Sequence, residues 1–293
     1  MSHVEREIAS QPECWKTVID TAGQSSAALP SPGERVAVVG AGTSWFMAMV
    51  YAQLREAAGH GETDAYAASE FPTTRRYDRV VAITRSGTTT EVLDLLAGLP
   101  DGTRTTAITA VAASPVSARA EAVVALPFAD EESVVQTRFA TSATALLRVH
   151  LGHDLTGAIA DAVTVLDEPL PVHPASVEQV TFLGTGWTLG LAHEAALKCR
   201  EAANLWTEAY PAMDYRHGPI SIAAPGRIVW AFGSLPDGLT ADIQRTGATF
   251  LHTPDRDPLA ELVMTQRVAV AVAVHRGLDP DAPRHLTRSV ILR

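Results

Sequence analysis

Apolar and polar positions alternate between two patterns along the chain. Short unbroken apolar runs, such as Val36 to Val39 in "RVAVVGAGTS" and Val80 to Ile83 in "RVVAIT", stop at glycine or at hydroxyl residues. Stretches follow in which apolar positions recur every three or four residues. Runs this short predict strands buried on both faces, and the longer recurrence predicts helices. "WFMAMVYAQLREAAG" reads as a helix that ends at Gly59, a plausible C′ glycine. "DAYAASEF", "TTAITA" and "AVVALPF" read as further strands, "SPVSARA" as a short helix, and residues 132–162 as mostly helical. Strands that alternate with helices predict an α/β fold with a parallel sheet covered on both faces.

"DEPLPVHPAS" (167–176) carries three prolines and interrupts this alternation, so it reads as a linker. The pattern then restarts. "VTFLGTGWTLGLAHEAALKCREAAN" resembles "VAVVGAGTSWFMAMVYAQLREAAG": Val36, Gly40, Gly42, Ala48 and Ala52 fall on Val180, Gly184, Gly186, Ala192 and Ala196 at a constant spacing of 144. A strand, two glycines and a helix face recurring together predict an internal duplication. The expected layout is a first domain over 20–166, the linker, a second domain over 177–275 and a tail over 276–293. Each domain is expected to hold such a covered parallel sheet.

"AITRSGTTTEVLDLL" (82–96) sets four hydroxyls, at Ser86, Thr88, Thr89 and Thr90, in the turn between a strand and a helix. Such a turn offers backbone N–H groups, hydroxyl donors and the positive end of a helix dipole, which suits a phosphate monoester. The nucleotide-loop pattern G-x-x-x-x-G-K-[ST] is absent. The bland alternative, Thr88 as a helix cap with the rest solvated, stays open at this point. The matching place in the second half, after "RIVWAF", reads "GSLPDG", with one hydroxyl and a proline. A dinucleotide fingerprint fits poorly. Trp45 and Leu189 occupy the third glycine position of G-x-G-x-x-G, and Glu70 lies 28 residues beyond Gly42.

Composition narrows the partners. The 293 residues are 46% hydrophobic and 19% charged, with a formal net charge of −10. No basic stripe marks a nucleic-acid partner. An anionic ligand has to be attracted by local groups against the overall field. Cys14 and Cys199 lie far apart without metal-type spacing and read as reduced thiols. The charged N-terminus does not read as a signal peptide, and no apolar run is long enough to span a membrane. A cytoplasmic location is expected. His150 and His153, near Asp154, read as a solvated helix face rather than a metal site, and no metal or cofactor is expected.

The segments "GAGTS", "ASEF", "TRSGTTTE", "HEAALKCREAANLWTEAY", "DYRHGP" and "DPDAPRHLTRSV" occur in that order. Together they resemble the tandem sugar-isomerase (SIS) domains of the isomerase module of glucosamine-6-phosphate synthase. Stand-alone relatives are aminosugar-phosphate isomerases or deaminases and fructosamine-phosphate deglycases. The resemblance runs from about residue 20 to 293. It implies a doubly wound α/β sandwich in each half and a phosphosugar ligand, with the phosphate loop at Thr84, Arg85, Ser86 and Thr89 and a second contact at Gly42, Thr43 and Ser44. It implies Glu201 as the catalytic base, Lys198 beside it, His217 as the ring-opening histidine, and Arg288 where the family carries a lysine. It also implies a homodimer or larger homo-oligomer in which His217 serves a neighbour's site.

These roles also make chemical sense. Ketose–aldose interconversion removes a proton beside a carbonyl and returns it to the next carbon, which one carboxylate can do through an enediol. Glu201 lies one helical turn from Lys198, so both face one ligand. An exposed helical ion pair is the bland alternative for that spacing, and a structural histidine is the bland alternative for His217. Two departures stand out. The 20 to 30 residues before the first strand leave no room for a glutaminase domain. Arg288 stays protonated and cannot form an imine with a ketose. The expectation is a cofactor-independent phosphosugar enzyme of the isomerase type, with amine loss or gain. A non-catalytic phosphosugar sensor is the alternative.

Overall fold

The computed structural model describes residues 1–292. The first sheet has five parallel strands: β1 (Val36–Gly40), β2 (Thr63–Ala67), β3 (Arg79–Ile83), β4 (Arg104–Thr109) and β5 (Ala122–Ala125), in the order β2-β1-β3-β4-β5. β1 and β3 are buried along their whole length, as unbroken apolar runs require. The second sheet has four parallel strands: β6 (Gln179–Gly184), β7 (Trp206–Pro211), β8 (Ile228–Phe232) and β9 (Thr249–His252), in the order β7-β6-β8-β9. In each sheet the first strand has its successor on one side and the next strand on the other. The chain therefore reverses direction across the sheet between β1 and β3, and again between β6 and β8. Open α/β sheets bind ligands beyond the carboxyl ends of strands at such reversals.

The chain divides into two compact units. One comprises Met1–Pro12, Ser133–Val135 and Thr156–Leu286; the other comprises Glu13–Glu132, Gln136–Leu155 and Thr287–Arg293. In the unit of the first sheet, α3 (Thr43–Ala57) follows β1, α4 (Thr90–Ala97) follows β3, and α5 (Arg138–His150) packs against α3. Val92 and Leu96 of α4 join Ala37, Val39, Val80 and Ala82 in one apolar cluster, which seats α4 on the sheet. In the unit of the second sheet, α7 (Thr188–Ala203) packs against α9 (Pro258–His275). α9 is apolar almost all round and buried along most of its length. It starts at a proline, and the Asp257 carboxylate accepts the Leu259 N–H at 2.9 Å.

Three local details go beyond the sequence reading. Residues 132–162 are mostly helical, as expected, but the helix is divided in two. α5 starts only at Arg138, and α6 (Thr156–Asp167) follows after a break. Glu131 holds the loop before α5 open, because its carboxylate accepts the Thr137 N–H at 2.5 Å and the Thr137 hydroxyl at 3.0 Å. "SPVSARA" forms only a 3-10 turn, Pro115–Ala118. The first 25 residues, to which the sequence reading assigned no element, form α1 (His3–Ala9) and α2 (Gln11–Ser25), with Ser2 and Glu5 in a reciprocal capping box.

Glu34, just before β1, ties down the amino ends of three strands. It pairs with Arg79 of β3 at 3.0 Å and Arg104 of β4 at 2.8 Å, and accepts the Ser31 N–H at 2.9 Å. Burial pushes its carboxyl up, but these bonds and charges outweigh burial and hold it below 4.5. A carboxylate with a depressed folded value contributes stability above its unfolded value and loses it as pH falls. Glu34→Gln leaves the buried Arg79 guanidinium facing a neutral amide. It should cost about 2–3 kcal/mol near neutral pH, and the deficit should shrink below about pH 4.5. Urea unfolding at pH 7 and pH 3.5 checks both. A deficit of equal size at the two values would refute the charge argument.

Candidate functional site

The hydroxyl turn expected from the sequence is an ordered cradle. Thr84 leaves β3 with its N–H bonded to the Ile108 carbonyl at 2.9 Å. Gly87 turns the chain at φ +66°, and a Cβ there would lie 2.1 Å from Ser114 Oγ, so only glycine fits. Thr88 donates its N–H (3.2 Å) and its hydroxyl (2.8 Å) to Ser86 Oγ. The helix cap is Thr89, which makes no side-chain capping bond, and Thr84 and Ser86 are buried. The bland alternative of a Thr88 cap among solvated hydroxyls therefore does not describe this turn.

Ser44 comes in from the other side of the reversal point. Gly42 precedes α3, and Thr43 and Ser44 open it, both buried. Ser44, Thr84, Ser86, Thr89, Gln136 and Arg288 line a cavity of about 30 Å³. Arg85 lines it too, while Gly42 and Thr43 do not. The structure thus brings most of the proposed phosphate contacts together, from two strand–helix turns and the tail.

The charges at this cavity compensate one another. Arg85 is buried and pairs with buried Glu131 at 3.4 Å. Its Nη2 donates to the Arg288 carbonyl at 2.8 Å. The Arg288 guanidinium lies on the Asp130 carboxylate at 2.5 Å. The tail then runs onto α4: the Val290 carbonyl accepts the Thr90 N–H at 3.1 Å, and the Thr88 hydroxyl bonds the Ser289 hydroxyl at 3.0 Å. Two cations face two carboxylates, so the attraction left for an anion comes from N–H groups, hydroxyls and the α4 dipole. The corresponding second-half loop after β8 carries exposed Ser234 and no such cluster.

Lys198 and Glu201 lie on α7, and they are not an exposed ion pair. Lys198 is 1% exposed and bridges two carboxylates of its own helix, Glu201 at 2.5 Å and Glu194 at 3.4 Å. Glu194 is fully buried and Glu201 is 19% exposed, so of the three only Glu201 reaches solvent to any extent. The sequence reading missed Glu194. Its signal was present, since positions 194, 198 and 201 share one helix face. Glu131 and Gln136 were also missed. They come from a loop some 45 residues beyond the cradle, and no spacing rule reaches that far.

His217 ends a 3-10 turn, Asp214–His217, and is exposed. Buried Tyr215 roots this turn, and Arg216 pins it to Asp242 at 2.6 Å and to the Asp237 carbonyl at 2.7 Å. The two cysteines are in no disulfide, and burial pushes the Cys199 thiol up to about 12, which rules it out as a nucleophile near neutral pH. His150 is not on a solvated face. It is half-buried with its ring nitrogen 2.9 Å from the Pro30 carbonyl, and burial pulls its value down. No group of three or more potential metal ligands occurs among the described residues, and no described helix is long and apolar enough to cross a membrane.

This fold matches a class of known proteins, the sugar-phosphate isomerases and deaminases, and the chain is homologous to members of that class. The glutamine–fructose-6-phosphate aminotransferase (isomerizing) of Sulfolobus acidocaldarius is 28% identical over 300 residues, covering 87% of this chain and 50% of that protein. The chain spans about half the length of the curated relatives it matches. The glucosamine-6-phosphate deaminase structure from Thermotoga maritima superposes with a TM-score of 0.83 at 26% identity, covering 99% of this chain and all of that one. The tagatose-6-phosphate ketose/aldose isomerase structure from Escherichia coli shares the fold, with a TM-score of 0.80 at 18% identity over 98% and 97% of the two chains. No protein-family model matches the chain.

The buried charge on α7 yields a direct test. Lys198→Met leaves the Glu194 carboxylate buried without its lysine, which should cost about 3–5 kcal/mol. Replacing Lys198 and Glu194 together by Met and Leu should recover most of that loss, because a well-packed apolar pair substitutes for a buried ion pair at little cost. Equilibrium denaturation of the single and double variants measures both. A double variant no more stable than the single one would show that the two charges do not depend on each other.

Proposed function

We infer that this chain is a phosphosugar isomerase acting on a hexose or aminohexose 6-phosphate, by ketose–aldose proton transfer coupled to amine loss or gain. The observation that carries this reading is the α7 network, in which a buried ammonium grips a partly exposed carboxylate. Homology to isomerases and deaminases of sugar phosphates supports the same class. In the reading, the hydroxyls of Ser44, Thr84, Ser86 and Thr89 take the phosphate. Arg85 holds the loop and the tail in place through Glu131 and the Arg288 carbonyl.

Glu201 is the base. It removes the proton from the carbon beside the carbonyl or imine and returns it to the neighbouring carbon. Lys198 offers positive charge to the enediolate between those steps. His217 moves the ring-opening proton, a task suited to an imidazole near neutral pH. For a 2-amino aldose phosphate the transfer gives an imine at C2; water adds there and ammonia leaves, which yields the ketose phosphate. Arg288 acts as a tail latch on Asp130 rather than as an imine-forming amine. That same latch favours the second reading, a sensor that binds phosphosugar without turnover.

The matching strand orders of the two sheets support an ancestral duplication of SIS domains over 20–166 and 177–275, joined at 167–176 and followed by the tail from 276. Buried thiols outside disulfides support a cytoplasmic setting. Trp206 is 74% exposed and Met213 is 55% exposed, one at each end of the β7 segment that leads to His217. Exposed apolar side chains beside an edge strand support a homodimer in which a second copy covers this segment.

Glu201→Gln keeps shape and hydrogen bonding but removes the base. It should bind phosphosugar nearly normally and lose about 10²–10⁴-fold in kcat. The wild type in D₂O should incorporate deuterium into the substrate's reacting carbon, and the variant should not. Tight binding by the wild type with neither exchange nor ammonia release, across hexose and aminohexose 6-phosphates, would establish the sensor reading instead. Assembly has its own check. Sedimentation at micromolar concentration should show no dominant monomer, and mixing inactive Glu201→Gln with inactive His217→Ala should restore part of the activity. An active monomer would exclude sharing.

A further inference from the structure

Gln136 lies one residue before Thr137, whose N–H and hydroxyl are both held by Glu131. Glu131 pairs in turn with Arg85 of the cradle. Buried charge therefore fixes the backbone at Gln136 to the loop that begins at Thr84. Its side chain lines the cavity beside Ser44, Ser86 and Thr89. Its amide oxygen Oε1 is buried and accepts no hydrogen bond. Its neighbours are engaged: Ser86 Oγ accepts from Thr88, and the Arg288 guanidinium lies on Asp130.

A buried amide oxygen without a donor is costly, and the large majority of buried polar atoms in folded proteins have a partner. If the position served only to fill space, leucine or methionine would do so without that cost. A phosphate oxygen is no partner for an amide oxygen, since both accept. What an amide oxygen takes is an O–H or N–H donor, and in a phosphosugar these donors lie on the carbon chain. The geometry points to Gln136 as a specificity-determining residue, whose amide oxygen accepts from a hydroxyl or ammonium group on the carbon chain of a phosphosugar held at the cradle. This inference rests on the reading of the cradle as the phosphate site. A half-turn of the amide would instead present Nε2 to the phosphate and make Gln136 one more phosphate ligand. The experiment separates the two.

Gln136→Leu and Gln136→Met are compared with wild type in the full chain. Three properties are read: the melting temperature without ligand, the affinity for inorganic phosphate, and the affinity for glucosamine 6-phosphate and fructose 6-phosphate. Both variants should melt at or above the wild-type temperature, because a buried orphan acceptor has gone. Phosphate affinity should stay within about twofold, while at least one phosphosugar should bind about tenfold or more weakly, the scale of one lost hydrogen bond. Equal loss for phosphate and phosphosugar, unchanged affinity for both phosphosugars, or a marked drop in melting temperature in both variants would each overturn the inference. A wild type that binds phosphosugar but shows no affinity for inorganic phosphate would remove the cradle reading and, with it, this inference. Normal phosphate binding with indifferent sugar binding would remove this inference alone.

Discussion

Two glycines set how closely each sheet approaches its first helix. A Cβ on Gly40 would lie 2.5 Å from the Ser44 carbonyl carbon, and one on Gly184 would lie 2.5 Å from the Thr188 carbonyl oxygen. No side chain relaxes a contact that short with backbone. The end of β1 therefore sits directly against the first turn of α3, and the end of β6 against that of α7. In the first sheet this contact brings Ser44 to the hydroxyl turn after β3. The strand order places the β1 and β3 ends side by side, so two helix amino ends converge on one small volume. That convergence is a consequence of packing at Gly40.

A second set of interactions finishes what the strand order begins. Arg85 leaves β3 with a buried guanidinium that must be neutralised, and Glu131 supplies the charge from a different segment. The same guanidinium reaches the Arg288 carbonyl, while Asp130, next to Glu131, takes the Arg288 side chain. Two adjacent acids thus serve two arginines, and the tail is tied to the cradle by main chain and side chain together. An ion pair as buried as Arg85–Glu131 contributes little net stability. Its effect is geometric, because it fixes which loops meet. Gln136 is positioned as a by-product of that pairing.

Much of this could be read from the chain. Unbroken apolar runs gave the strands, and the hydroxyl turn pointed to the cradle, because both signals are local. The class of the fold followed from their alternation and from the ordered motifs. What escaped was set by distant partners. The two N-terminal helices were passed over. The break before α5 is invisible in "EESVVQTRF", since it depends on Glu131 bonding Thr137 and facing Arg85. Lys198 and Glu201 were found as a pair, but their burial was not foreseen. Charged residues on a helix read as surface until Glu194, one turn earlier, is counted on the same face.

The cradle and the α7 network compensate their charges in opposite ways. At the cradle, arginines and acids cancel, so in the proposed reading an anion would be held by amides, hydroxyls and a helix end. Such donors are fixed in direction and recognise the shape of a phosphate more than its charge. On α7 the opposite holds. Lys198 is buried between two carboxylates, and only one of them reaches solvent. A lone buried ammonium would shed its proton. Glu194, fully buried, gives Lys198 a fixed counter-ion, and Glu201 presents its carboxylate from a stem that the lysine anchors. A base that must take a proton from one carbon and return it to the next cannot swing away between the two steps. If Glu201 is that base, as proposed, the buried cation that holds it at one oxygen restricts such motion, while its partial exposure leaves room for a substrate to approach.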